Sequence, residues 1–127
     1  NQGKGSILNV SSVAGTSYLG RDMVSYATAK AGLIQFSKSV ARQYAAAGIR
    51  ANTIVPGLMN TPLVMDRIAD QYGAGDIDET IAMRDAMCPT GKMGTAWDVG
   101  WAAVFLASDE ARYVTGTEIV VDGGLTA

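Results

Sequence analysis

The chain has 127 residues, ten Lys and Arg against twelve Asp and Glu, a formal net charge of −2, and 48% apolar residues. This is the balance of a globular domain, one at most, without the basic stripe of a nucleic-acid binder. It has no histidine and one cysteine, Cys88, which excludes an internal disulfide and a Cys-x-x-Cys metal site and leaves acid–base chemistry to Tyr, Lys, Ser or carboxylates.

The chain opens on Asn1-Gln2-Gly3-Lys4-Gly5 without an initiator Met and runs straight into an apolar segment, so a piece of something longer is expected. Ser6 to Val10 reads as a short buried strand, followed by Ser11-Ser12 and a loop holding Gly15 and Gly20. From about Val24 to Ala47 the composition is helical. Ala29, Leu33, Phe36, Val40 and Tyr44 form the apolar stripe, and Gly48 stands where a C′ glycine would end the helix. Ile49 to Val55 reads as a second strand closed by Pro56-Gly57, and strand–helix–strand with short turns predicts parallel pairing.

Residues 58–93 differ from the rest: they hold five of the six methionines, three glycines and two prolines, with weak helical periodicity. A lid containing short helices is expected there, with a plain helical hairpin packed on the sheet as the alternative, and methionine suits an adaptable apolar surface. Thr95-Ala96-Trp97-Asp98 fits a capping pattern for a helix whose buried stripe is Val99, Ala102, Ala103 and Leu106. Thr117 to Val121 is a third strand, and Asp122-Gly123-Gly124 a structural turn. Trp97 and Trp101 read as packing residues and Cys88 as a passive thiol. Asp76, Asp78, Glu79 and Asp85 read as a solvated lid face with no metal site.

Tyr26 and Lys30 are four apart and therefore side by side on a helix. A free tyrosine titrates near pH ~10, and a neighbouring ammonium favours the phenolate. In an open parallel sheet, ligands bind beyond the carboxyl ends of the strands. Ser11-Ser12 and Pro56-Gly57 both lie at such ends, so three segments are expected to converge on one crevice.

Taken in order, Gly5-Ser6-Ile7-Leu8-Asn9-Val10-Ser11-Ser12, Tyr26-Ala27-Thr28-Ala29-Lys30, Asn52-Thr53-Ile54-Val55-Pro56-Gly57, Thr115-Gly116 and Val121-Asp122-Gly123-Gly124 resemble the second half of a short-chain dehydrogenase/reductase. The resemblance is to the branch that includes the 3-oxoacyl carrier-protein reductases. It implies an α/β fold, the C-terminal half of a Rossmann-type doubly wound parallel sheet, with three of the usual strands. The dinucleotide-binding half, with its glycine-rich turn, would be absent from this sequence.

By motif, the resemblance assigns Tyr26 as the acid–base group, Lys30 as the residue that lowers its pKa and holds the nicotinamide ribose, and Ser12 as the group that polarises the carbonyl. Ser12 is preferred to Ser11 because the second serine of this pattern usually has that role. Pro56 and Gly57, with Met59 through its backbone and Thr61, match the positions that hold the rest of the cofactor, NAD or NADP. Metal is expected to play no part.

The implied reaction moves a hydride between NAD(P) and an alcohol or ketone, with an apolar or bulky substrate suggested by the lid. The implied setting is a cytoplasmic homodimer or homotetramer, without nucleic acid or membrane. Two other readings stand beside it. One is a truncated chain acting only as an oligomerisation or binding module, and the other is an epimerase or dehydratase on the same fold.

Overall fold

The computed structural model describes residues 3–20, 22–62, 64 and 77–127. Among the described residues, five strands and three α-helices follow in the order β1 (Gly5–Val10), α1 (Val24–Tyr44), β2 (Ile49–Pro56), β3 (Met59–Asn60), α2 (Ile77–Met87), β4 (Gly94–Thr95), α3 (Ala96–Ala107) and β5 (Glu118–Val121). The main sheet has the order β1-β2-β5, and both pairings are parallel, in the registers Val10↔Ile54 and Pro56↔Val121. The expected α/β architecture with a three-stranded parallel sheet is present.

β2 is the central strand, and Ala51 through Val55 are all buried, as a strand covered on both faces requires. Side chains of β1 alternate between those faces. Ser6 Oγ donates to the carbonyl of Leu106 on α3, whereas Asn9 Nδ2 donates to Ser37 Oγ on α1. The two helices therefore lie on opposite sides of the sheet. Arg50 donates to the carbonyls of Leu106, Ser108 and Val114, and Asn52 joins the Val114 carbonyl to the Thr117 N–H. These bonds seat the Thr115-Gly116 turn on the middle of β2.

α1 ends at Tyr44 and passes through a 3-10 turn at Ala45–Ala47 to Gly48, which adopts a φ of 75°. Its buried face differs from the expected stripe. Ile34, Ser37 and Ala41 are buried; Leu33 and Val40 are half-buried, while Ala29, Phe36 and Tyr44 are exposed, Phe36 to 55%. The stripe is rotated by about one residue, roughly 100°. The side chains at the centre of the contact are small or polar, and the Asn9–Ser37 bond satisfies them where the stripe presumed apolar contact.

In α3, Leu106 is buried and Val99, Ala102 and Ala103 are half-buried as expected, and the Asp98 carboxylate accepts from the Thr95 N–H and hydroxyl. Trp97 and Trp101 do not pack in the core. They are 75% and 68% exposed because they lie on the helix side opposite Leu106. Part of the expected lid is the regular helix α2, flanked in the chain by the two-residue strands β3 and β4, which pair with each other. Residues 65–76, including Met65 and Asp76, lie outside the described residues. Asp85 is not merely solvated, since its Oδ1 accepts from the Met93 N–H at 2.8 Å.

Candidate active site

The carboxyl ends of β1 and β2 lie side by side and carry the Ser11-Ser12 and Pro56-Gly57 segments. After β1 the chain makes a 3-10 turn, Val13–Gly15, with Ser12 as its N-cap. Val13 is buried against Ile34 of α1 and Val55 of β2, a burial worth about 2 kcal/mol that anchors the turn. Gly15 presses on α1: a Cβ there would stand 2.8 Å from the Ala31 nitrogen and 2.8 Å from the Lys30 carbonyl carbon. Only a residue without a side chain lets the turn approach the helix so closely at Lys30.

The two serines have different roles. Ser11 is 4% exposed, and its Oγ donates to the main-chain carbonyl of Lys30 at 2.7 Å. Ser12 is half-buried, and its Oγ accepts from the Ala14 N–H at 3.2 Å. A hydroxyl has one donor and two acceptor sites. Ser11 has therefore committed its proton to the helix, while Ser12 has used only an acceptor site and keeps its O–H to donate.

Tyr26 lies in the first turn of α1 and is 41% exposed. Lys30 follows one turn later; its Nζ lies 5.7 Å from the centre of the Tyr26 ring and donates to the Val10 carbonyl at 2.9 Å. An ammonium carries three donors, so two remain beyond the bond to Val10. The structure thus brings Tyr26 and Lys30 together and ties Lys30 to the strand end that leads into Ser12.

Pro56 and Gly57 continue β2 at the same edge, and the Gly57 N–H donates to the Val121 carbonyl at 2.9 Å. Asp122 packs directly against Gly57, where a Cβ would fall 2.6 Å from the Asp122 Cβ. Desolvation raises the Asp122 carboxyl pKa, but hydrogen bonds from the Thr126 hydroxyl and the N–H groups of Gly124, Thr126 and Leu125 outweigh it and hold the value below the usual carboxylate range. Met59 lies in the β3–β4 bridge opposite Gly94, and the Thr61 carbonyl accepts from the Val64 N–H.

An open cleft of about 470 Å³ adjoins this edge, lined by Ala14 to Leu19 from the loop and by Ala27, Thr28 and Ala31 from α1, among others. Ser12, Tyr26 and Lys30 do not line it, so it stands beside the candidate site. Among the described residues no three His, Cys, Asp or Glu side chains form a metal-binding group, and no helix is long and apolar enough to cross a membrane. The Cys88 thiol is buried and donates to the Arg84 carbonyl; burial pushes its pKa up, which makes it a poor nucleophile.

A parallel sheet with helices on both faces is the doubly wound α/β class, in which ligands bind beyond the carboxyl ends of the strands. The chain belongs to the short-chain dehydrogenase/reductase family: the family model described as enoyl-(acyl carrier protein) reductase matches residues 1–126. It is 41% identical over 121 residues to the 3-oxoacyl-[acyl-carrier-protein] reductase FabG of Escherichia coli K12, covering 95% of this chain and 46% of that protein.

Among solved structures, a Burkholderia xenovorans chain assigned to the short-chain dehydrogenases/reductases superposes with a TM-score of 0.90 at 50% identity, over 98% of this chain and 47% of that one. ElxO with NADP bound superposes with a TM-score of 0.83 at 28% identity, over 97% and 47%. The chain spans less than half the length of the curated relatives it matches.

Proposed function

We propose that the chain is the C-terminal catalytic portion of an NAD(P)-dependent oxidoreductase that interconverts an alcohol and a ketone. The observation that carries this reading is the Lys30 clasp, in which one side chain reaches both the Tyr26 ring and the carbonyl at the end of β1. It places a fixed cation next to a half-exposed phenol at the edge of the sheet where ligands bind. The donor set fits a nicotinamide cofactor, since Lys30 keeps ammonium protons for a ribose hydroxyl and the Pro56-Gly57 turn lies on the adjacent strand end.

In this reading, bound NAD(P) supplies or accepts the hydride. Tyr26 gives or takes the proton on the substrate oxygen, with the Lys30 ammonium held beside its ring. Ser12 donates its free O–H to the same oxygen and stabilises the charge that develops there. Met59, through its backbone, would hold the carboxamide of the cofactor, and Thr61 would contact the cofactor. Exposed Met83 and Met87 on α2 give the described part of the lid an apolar face, which favours an apolar or bulky substrate. The reading includes a homodimer or homotetramer in the cytoplasm.

The test is an assay of the natural enzyme with NADH and NADPH against a panel of ketones, followed at the nicotinamide absorbance band. Turnover with at least one pair is expected. Absence of turnover and of cofactor binding in a folded preparation would overturn the reading.

A further inference from the structure

We propose that Ser11 is a positioning residue for this site: its buried hydroxyl sets the rotation and height of α1 so that Tyr26 and Lys30 meet Ser12. The inference rests on the reading of Tyr26 and Lys30 given above. Three bonds fix the junction. The Ser11 N–H donates to the Ile54 carbonyl at 2.8 Å, which carries the ladder between β1 and β2 one residue beyond β1. The Ser11 hydroxyl donates to the Lys30 carbonyl at 2.7 Å, and Lys30 Nζ returns to the Val10 carbonyl at 2.9 Å.

Lys30 is therefore held at both ends, its main chain by Ser11 and its ammonium by the residue before Ser11. Each clasp alone leaves a freedom that the other removes. A lysine tail is a flexible chain with several rotatable bonds, and a single bond at its tip would let the helix slide while the tail adjusts. The Ser11 bond fixes the helix backbone at the same residue, so a shift of α1 breaks one clasp or the other. Tyr26, one turn before Lys30, inherits that position. Ser12 follows Ser11 in the chain, so the group that polarises the carbonyl and the group that transfers the proton are referred to one hydroxyl.

A second buried hydroxyl supplies the comparison. Ser37 joins the same strand to the same helix by accepting from Asn9 Nδ2 and donating to the Leu33 carbonyl, and it is 1% exposed. It lies seven residues beyond Lys30, away from the site. A merely structural role for Ser11 predicts that the two serines behave alike. A positioning role predicts that they do not.

The experiment compares Ser11→Ala, Ser11→Cys and Ser37→Ala in the natural enzyme, measuring kcat and KM at saturating cofactor together with the melting temperature. Loss of the Ser11 hydroxyl is expected to lower kcat about 10- to 100-fold, as for a catalytic group displaced by a fraction of an ångström to one ångström, with KM within about twofold. Ser11→Cys, which keeps a weak donor, is expected to fall between Ser11→Ala and the parent. Ser37→Ala is expected to lower the melting temperature while keeping kcat within about twofold.

A parental kcat in Ser11→Ala, or an equal loss of kcat in Ser37→Ala, overturns the inference. Where Ser11→Ala does not fold, Ser11→Cys decides: parental kcat overturns the inference and reduced kcat at unchanged KM supports it. Failure of both to fold also overturns it, because the bond then serves the fold. Tyr26→Phe is assayed beside them. If it retains turnover, the proposed function fails; if it is inactive while Ser11→Ala is normal, only the role of Ser11 fails.

Discussion

The Lys30 ammonium stands 5.7 Å from the centre of the Tyr26 ring while bonded to the Val10 carbonyl, so its position relative to the phenol is set by the sheet as well as by the helix. Replacing Lys30 by Ala removes the charge and the bond to β1 together. Turnover at neutral pH is expected to fall about 10²-fold. Lys30→Arg is expected to recover little, because a planar guanidinium cannot reproduce the point charge of an ammonium. Steady-state rates at neutral pH check both outcomes, and turnover of Lys30→Ala within a few-fold of the parent would contradict the proposed role.

Gly15 tests whether the Ser12 turn must press on α1. A Cβ there meets backbone atoms of Lys30 and Ala31, which cannot move aside as a side chain would. Gly15→Ala is expected to destabilise the fold by about 1–3 kcal/mol, read as a lower denaturation midpoint at unchanged m-value. Turnover in the folded fraction should also drop, because the turn carries Ser12.

Much of this arrangement was legible in the sequence, and the parts that were not have physical causes. The strands at Ser6–Val10, Ile49–Val55 and Thr117–Val121 are visible because they are apolar and bounded by glycine and proline, and the observed strands lie within a residue of them. The face of α1 was hidden because Ser37 and Ala41 pack where Phe36 and Tyr44 do not, and the Asn9–Ser37 bond that allows this joins residues far apart in sequence. The β3–β4 bridge has two residues per strand, too few for any periodicity. The pairing of Tyr26 with Lys30 follows from helical spacing alone. The motif already favoured Ser12 over Ser11, whereas the bond from the Ser11 hydroxyl to the Lys30 carbonyl joins residues far apart in sequence and could not be read there.

Acid should loosen the chain's C-terminal turn. The Asp122 carboxyl lies below the usual range in the folded state, so its stabilisation is complete above the unfolded value of about 3.9 and is lost as the pH falls through the lower folded value. Thermal melts between pH 2 and 7 should show this acid limb. Asp122→Asn should flatten it and lower the melting temperature at pH 7 by about 2–5 °C. An unchanged acid limb in Asp122→Asn would assign it to other carboxylates.

Thr53 gives a prediction of opposite sign. Its Oγ1 is buried on the central strand without a hydrogen-bond partner among the described residues, a cost of about 1–3 kcal/mol. Thr53→Val keeps the shape and removes the orphan, so the melting temperature is expected to stay level or rise by about 2–5 °C. A fall would show that the hydroxyl has a partner.

The proton-transfer role proposed for Tyr26 is tested most directly by comparing Tyr26→Phe with the parent enzyme in NAD(P)H-coupled ketone reduction. Tyr26 is 41% exposed, and loss of its hydroxyl should leave the melting temperature within about 2 °C. Turnover is expected to fall about 10²- to 10⁴-fold. Turnover within a few-fold of the parent would contradict the account.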